Sequence, residues 1–234
     1  SISEVTSLLQ KSITPLGRRE EISLCSANGR ICAEHIYSPL SLPTSNNAAV
    51  DGFAFHYEWS TSHPNHVYDI IAEIRAGHPY SGNLLPGQAV AIFTGAIVPE
   101  ELNCIVMQEN CILEEKKRVR IPFAPKKGLN IRMAGENLRK GEVIIKDGQR
   151  ISAADIGQLS AIGRSKIFCY SQLSIGVLST GDEVMDASNT KAFLRPGQLY
   201  DTNRPMLKAM ITKDKQFCSD YGIIIDDKTS LQEG

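Results

Sequence analysis

Three short segments of this 234-residue chain set oxygen-bearing side chains directly after an apolar run. In "AVAIFTGAIVPEE", Thr94-Gly95-Ala96 follows Ala89 to Phe93; in "LSIGVLSTGDEV", Ser179-Thr180-Gly181-Asp182-Glu183 follows a second run; and Asp226-Asp227 follow "YGIII". In open α/β sheets ligands gather beyond the carboxyl ends of the strands, which puts the second and third segments on the ligand side of one sheet. Threonine hydroxyls and the N–H groups of a glycine turn can hold an oxyanion or a phosphate. Asp and Glu can hold a hard divalent cation that bridges to phosphate oxygens. The chemistry in view is an acidic, metal-assisted phosphate site. Each segment taken singly also reads as a β-turn, a solvated loop or a polar strand end, and Glu136 in "RMAGENL" reads as a surface charge beside a glycine turn.

A fourth segment, "SNNAAVDGFAF", places Asp51 and Gly52 inside a run that otherwise reads as core. Asp-Gly is turn chemistry, whereas a half-buried strand wants apolar residues at alternate positions, so Asp51 is either a turn residue or a working acid. The dinucleotide-binding GxGxxG, the phosphate loop GxxxxGK[ST] and the hydrolase GxSxG are absent. The six cysteines form no CxxC and most sit among apolar or small neighbours, as expected of buried free thiols in a reducing cytoplasm. The five histidines form no HExxH, and the "HPNH" of His63 and His66 reads as a loop tip rather than a metal site.

These residues need elements to position them. The composition, 42% hydrophobic and 22% charged, supports a substantial core, and the length suits more than one domain. With 25 basic against 26 acidic residues there is no net field to draw nucleic acid or an anionic membrane, and no apolar run reaches the roughly 18 residues of a membrane span. The expectation is a soluble cytoplasmic protein with no visible export signal, binding neither nucleic acid nor membrane.

The opening residues place Ile2, Val5, Leu8 and Leu9 on one face of an amphipathic helix that Pro15 and Gly17 end. Asn28-Gly29 favours a hairpin-like reversal, and "PLSLPTSNN" reads as an exit from one domain. From about residue 48 to 125, strand-length runs between glycine and proline breaks predict a compact β-rich domain. Ser152 with Asp155 predicts a capped helix closed by Gly163, followed by the strand "SKIFCYS". From Leu173 the pattern becomes strand, helix, strand, with Asn203 as helix cap and Pro205 in the first turn, which implies a parallel βαβ unit. Ser230 and Glu233 offer a fresh capping box at the end, so the chain is expected to be a piece, or the ordered part, of a longer protein.

Taken together and in order, "NNAAVDGFA", "IFTGAIVPE", "NIRMAGENL", "GVLSTGDEV" and "GQLYDTNRPML" resemble the MoeA family of molybdopterin molybdenumtransferases, relatives of the gephyrin E domain, over essentially the whole chain. The resemblance implies an α/β and mainly-β multidomain fold, an elongated L-shaped subunit in a homodimer held through domains one and two. Domain one would be discontinuous, residues 1–38 with 139–172. Domain two would be the β-rich insertion 39–138, and a MogA-like α/β domain three would begin at 173–234 and be incomplete; the C-terminal β-barrel would be absent. The implied reaction is Mg²⁺-dependent insertion of molybdate into adenylylated molybdopterin with release of AMP, a step of molybdenum cofactor biosynthesis.

Carried over by position, the resemblance makes Asp51, Thr94 and Glu183 catalytic and assigns Gly52, Gly95, Ala96, Thr180, Gly181 and Asp182 to substrate binding. It gives Asp226, Glu183 and Asp51 to the metal or molybdate, with Glu136 and Asn137 behind them. In the family dimer the cleft lies between domain two of one subunit and domain three of the other, and the segment alone is expected to be inactive. Two positions depart from the family: Val50 stands where Met is usual, and Asn137 where Asp is usual, which keeps shape and one carbonyl acceptor but loses charge. The other readings are a non-catalytic dimeric scaffold of the gephyrin type, expected to carry an N-terminal MogA-like domain and a linker, and a degenerate homologue.

Overall fold

A computed structural model describes residues 1–115, 117–188 and 193–226. The chain divides into two compact units, Ser1–Ile36 with Val143–Gly234, and Tyr37–Glu142.

In chain order, the first unit begins with helix α1, Ile2–Ser12, whose start is fixed by a reciprocal capping box between Ser1 and Glu4. Its predicted apolar face is solvent-facing: Ile2, Val5, Leu8 and Leu9 are all exposed. Strand β1, Arg19–Ser23, leads into a single 3₁₀ turn, Leu24–Ser26. The reversal at Asn28-Gly29 exists, with Gly29 at φ 80°. It does not join a hairpin, however, because β1 pairs with a strand far along the chain, from Arg19 opposite Tyr170 to Ser23 opposite Lys166.

The second unit is built on β2 (Gly52–Phe55), helix α2 (Tyr57–Ser62), β3 (Val67–Ile74), β4 (Gln88–Ile92), β5 (Cys104–Met107), β6 (Ile112–Glu114) and β7 (Arg118–Arg120). These strands form one six-stranded mixed sheet in the order β5-β2-β4-β3-β7-β6. The expected β-rich segment is therefore built mainly on one sheet, with Asn47–Ala48 paired to Ile131–Arg132 as a second, two-stranded one. Strand β2 lies inside it, antiparallel to β4 and β5, with Gly52 opposite both Ile92 and Met107. All four residues of β2 are buried. Ala54 packs with Ile74, Val90, Ile92 and Ile105 on one face, while Phe53 and Phe55 pack with Tyr68, Cys104 and Val106 on the other. Each such large side chain contributes about 1.5–3 kcal/mol through burial.

The chain then returns to the first unit with helix α3 (Ala153–Ala161), strand β8 (Lys166–Tyr170), strand β9 (Ser174–Thr180), helix α4 (Asn203–Lys213) and strand β10 (Phe217–Ile224). The α3 capping box of Ser152 and Asp155 forms as predicted, and Gly163 sits at φ 80°. Strands β9 and β10 are parallel, so the predicted βαβ unit is present. Its strands are less covered than their sequence implies, with only Val177 of β9 buried and Phe217 and Tyr221 exposed. The expected cap is displaced: Asn203 is the first helical residue, the N-cap position falls on Thr202 without a side-chain bond, and the Arg204 N–H is met instead by Asp201 Oδ1 at 3.1 Å. The expected capping box of Ser230 and Glu233 lies outside the described residues.

Candidate functional site

In the second unit, Asp51 immediately precedes β2 and Thr94 lies just past the end of β4, so the antiparallel pairing of these strands brings them together. Both donors of Thr94 converge on one carboxylate oxygen: the backbone N–H reaches Asp51 Oδ1 at 2.8 Å and the hydroxyl reaches it at 2.7 Å. The Asp51 carbonyl accepts from the Gln108 N–H at 3.2 Å, so the residue is tethered to the strand on the other side as well. Among the described residues Oδ2 receives no hydrogen bond. The Thr94 backbone N–H, and then its hydroxyl, hold the Asp51 carboxyl below its ordinary value, because both favour the charged form.

The TGA turn is laced to the segment before Asp51. The Gly95 N–H donates to the Ala48 carbonyl (2.8 Å), the Ala48 N–H to the Ala96 carbonyl (2.9 Å), and the Val98 N–H to the Asn46 carbonyl (2.8 Å). Gly95 at φ 81° makes the turn possible, since a side chain there would meet the left-handed penalty. Ala96 is fully buried in the core, so its side chain anchors the turn.

Gly52 is required by the sheet itself. A Cβ there would lie 2.1 Å from the Val106 carbonyl oxygen, so the glycine lets β2 and β5 close on each other.

Glu136 braces its own loop. Oε1 accepts from Arg132 Nε at 2.7 Å and Oε2 from the Met133 N–H at 2.9 Å, and these bonds, Arg132 first, lower its pKa. The Asn137 N–H donates to the Leu42 carbonyl at 3.0 Å, and its side chain is exposed, with no hydrogen bond among the described residues. Asn46, which sequence reading passed over, joins this loop to the Asp51 segment by accepting the Ala134 N–H on Oδ1 at 2.9 Å. Its signal was its place in the "NNAAVDG" stretch.

In the first unit, Thr180 ends β9 and the Gly181-Asp182-Glu183 turn follows it, as the strand-end reading requires. The Asp226 N–H, just past β10, donates to Asp182 Oδ1 at 3.2 Å, so the two strand ends are joined. Gly181 is at φ 135°, and the Glu183 carboxylate folds over it, with Oε2 2.8 Å from the place a Cβ would take. Asp182, Glu183 and Asp226 are exposed. Asp227 lies outside the described residues.

The same unit holds a cluster that sequence reading missed. Arg204, nearly buried in the first turn of α4, donates from Nε to Asp201 Oδ2 at 2.9 Å, from Nη1 to Asp220 Oδ1 at 2.6 Å, and from Nη2 to Asp186 Oδ2. Asp201 in turn accepts the Ser179 hydroxyl at 2.8 Å, which ties the cluster to the strand that carries Thr180. Asp186 is pulled down to about 2 by the Ser188 hydroxyl and N–H and then by Arg204. Lys208, followed by Arg204, holds Asp220 far below the carboxylate range. Burial pushes Asp201 upward, and the Arg204 and Ser179 bonds outweigh it. An arginine opposing the helix dipole in the first turn of α4, three residues after an Asp, was the available signal.

No group of three or more His, Cys, Asp or Glu able to hold a metal occurs among the described residues. Within the first unit, Glu183 and Asp226 are oxygen-only donors of the kind that holds Mg²⁺, which is usually bound by one or two carboxylates with waters and substrate phosphates rather than in a closed cage. All six cysteines are free, with Cys32, Cys104 and Cys169 buried. No helix among the described residues is long and apolar enough to cross a membrane.

Residues 1–163 match the family model described as the MoeA N-terminal region (domain I and II). The chain is 34% identical over 214 residues to the molybdopterin molybdenumtransferase of Haemophilus influenzae, covering 92% of this chain and 52% of that protein. It is likewise 34% identical over 217 residues to the enzyme of the same name from Nostoc, covering 92% of this chain and 49% of that one. The chain therefore spans about half the length of the curated relatives it matches. Among solved structures, a molybdopterin biosynthesis MoeA protein from Pyrococcus horikoshii superposes with a TM-score of 0.86 at 26% identity, over 99% of this chain and 62% of that one.

Proposed function

Because the chain belongs to the MoeA family, whose N-terminal region it matches over residues 1–163, we propose that the protein carrying it inserts molybdate into adenylylated molybdopterin and releases AMP. The observation that carries this reading is the double Thr94 contact on Asp51 Oδ1. It gives a fixed carboxylate with one oxygen held and the other without a hydrogen bond among the described residues, at the end of a strand inside the sheet.

A carboxyl held below its ordinary value stays ionised at neutral pH and is a poor general base. Asp51 therefore acts as an acceptor, orienting a hydroxyl of the oxyanion substrate, or as a ligand to a cation. On the other unit, the Gly181 turn and the Thr180 hydroxyl offer donors for a phosphate, and Asp182, Glu183 and Asp226 offer carboxylates. Mg²⁺, held by Glu183 and Asp226 with substrate oxygens, would neutralise phosphoanhydride charge when bound. The Arg204 cluster holds Ser179, and with it the end of β9, in place through Asp201.

The reading includes the homodimer and the domain division 1–38 with 139–172, 39–138 and 173 onward. It also includes a cytoplasmic location. In the full-length protein, Asp51→Asn should abolish molybdenum insertion at unchanged sedimentation as a dimer. A full cofactor yield from that variant would sink the assignment.

A further inference from the structure

The "HPNH" stretch plays no part in the proposed reaction, yet it borders a cavity of about 310 Å³ in the second unit, lined in part by Tyr57, Ser60, His63, His66, Tyr68 and Phe123. Asp51 precedes β2 and His56 follows it, so this cavity lies at the opposite end of the strand, roughly 17 Å away by strand rise. Its volume is at the lower end of the ~300–1,000 Å³ range of ligand pockets, enough for a one- or two-ring compound.

The lining rings are braced by aromatic contacts, one of them to Trp59 outside the lining. His63 stacks on Trp59 with centroids 3.8 Å apart and planes 17° apart, and His66 meets Tyr68 edge-on at 4.9 Å. Flat walls of this kind favour a flat guest, which gains stacking and edge contacts at little cost in rotamer freedom.

The polar groups both accept and donate: Asn65, Tyr57 and Tyr68 in the lining can do either. His63 Nδ1 lies 3.2 Å from the Trp59 carbonyl and His66 Nε2 lies 3.3 Å from the Gly87 carbonyl. A carbonyl only accepts, so each ring donates there, and each neutral ring keeps its other nitrogen as an acceptor. The Ser60 hydroxyl donates to the Tyr57 carbonyl at 2.6 Å and is also hydrogen-bonded to Tyr68, while the Thr61 hydroxyl donates to the Glu58 carbonyl at 2.9 Å, which leaves the Thr61 oxygen as an acceptor. The lining contains no Asp, Glu, Lys or Arg. An ammonium ion would find no countercharge, and neither would a phosphate. The matching guest is neutral, flat and able both to donate and to accept hydrogen bonds.

The geometry points to this cavity as a second binding site, for an uncharged amino-substituted heteroaromatic ring of nucleobase size. The site is independent of the proposed reaction and stands or falls apart from it.

Trp59 is the chain's one tryptophan. Its fluorescence, read while adenine is titrated into the 234-residue chain, reports on the ring stacked against it. The expected result is a saturable change with half-saturation on the order of 0.1 mM, and at least ten-fold weaker binding of purine, which lacks the amino group. Ala124→Phe, at the exposed rim of the lining, should block binding at an unchanged melting temperature. Thr61→Val, which removes one acceptor from an exposed helical position, should weaken binding several-fold and serves if the first variant fails to fold. The absence of a saturable change, equal binding of purine, tighter binding of tetramethylammonium, or full binding by the folded variants would overturn the site.

Discussion

Thr94 spends both of its donors, the backbone N–H and the hydroxyl, on a single oxygen of Asp51. The arrangement fixes the carboxylate plane and charge together. It follows that Thr94→Val, which keeps the backbone donor and removes the hydroxyl, should raise the Asp51 pKa part of the way back toward its ordinary 3.8. Carboxyl-detected NMR titration checks this. Because the folded value is depressed, the interaction stabilises the fold above the unfolded pKa and is lost as pH falls through the folded one, so its contribution should be intact at neutral pH and vanish only below about pH 4.

Gly52→Ala should be among the most damaging single-methyl additions in the chain, since the new Cβ would fall 2.1 Å from the Val106 carbonyl oxygen, a backbone atom of the neighbouring strand β5. A loss of about 1–3 kcal/mol or more is expected in urea unfolding. Gly95→Ala, with only the Ala76 Cβ at 3.7 Å but φ at 81°, should cost about 1–2 kcal/mol from backbone strain alone.

Arg204→Met should strand three carboxylates that now share one guanidinium. The variant should unfold at lower denaturant concentration than Lys208→Met, which removes a partner of Asp220 alone. The wild type should also lose stability between about pH 4 and pH 2, the window in which depressed carboxylates such as Asp186, at about 2, take up protons. Arg204→Met should flatten that acid limb, and melting curves across the window read it directly.

Asn137→Asp restores the carboxylate usual at that position in the family. The side chain is exposed and makes no hydrogen bond among the described residues, so the change should leave stability within about 0.5 kcal/mol. If the proposed Mg²⁺ dependence holds, the variant full-length enzyme should reach half-maximal rate at several-fold less Mg²⁺, as a metal titration would show.

Much of this was legible in the chain. The β2 stretch, the α3 capping box and the βαβ order follow from apolar period and cap chemistry, which act over a few residues. What escaped is what depends on distant partners. Nothing near Gly52 announces Val106, and nothing near Arg204 announces Asp186 and Asp220. The Asn28-Gly29 turn was visible, but the partner of β1 lies at Lys166–Tyr170, well beyond any local signal. Asn203 lost the cap to Asp201 because the aspartate also serves a guanidinium, and that second bond holds it at the helix start.

The interior position of β2 also sets the timescale on which Asp51 can stray. A carboxylate on a surface loop wanders whenever the loop frays, but this one is the next residue to a strand hydrogen-bonded on both edges and buried on both faces. Its amide neighbours should therefore exchange with solvent only when the whole sheet opens, and the slowest-exchanging protons of the second unit should fall at Phe53, Ala54 and Phe55. The Asp51–Thr94 contact would then fail with the melting of that unit and not before it, so if the proposed role of Asp51 holds, heat inactivation of the full-length protein and loss of the sheet should follow one curve.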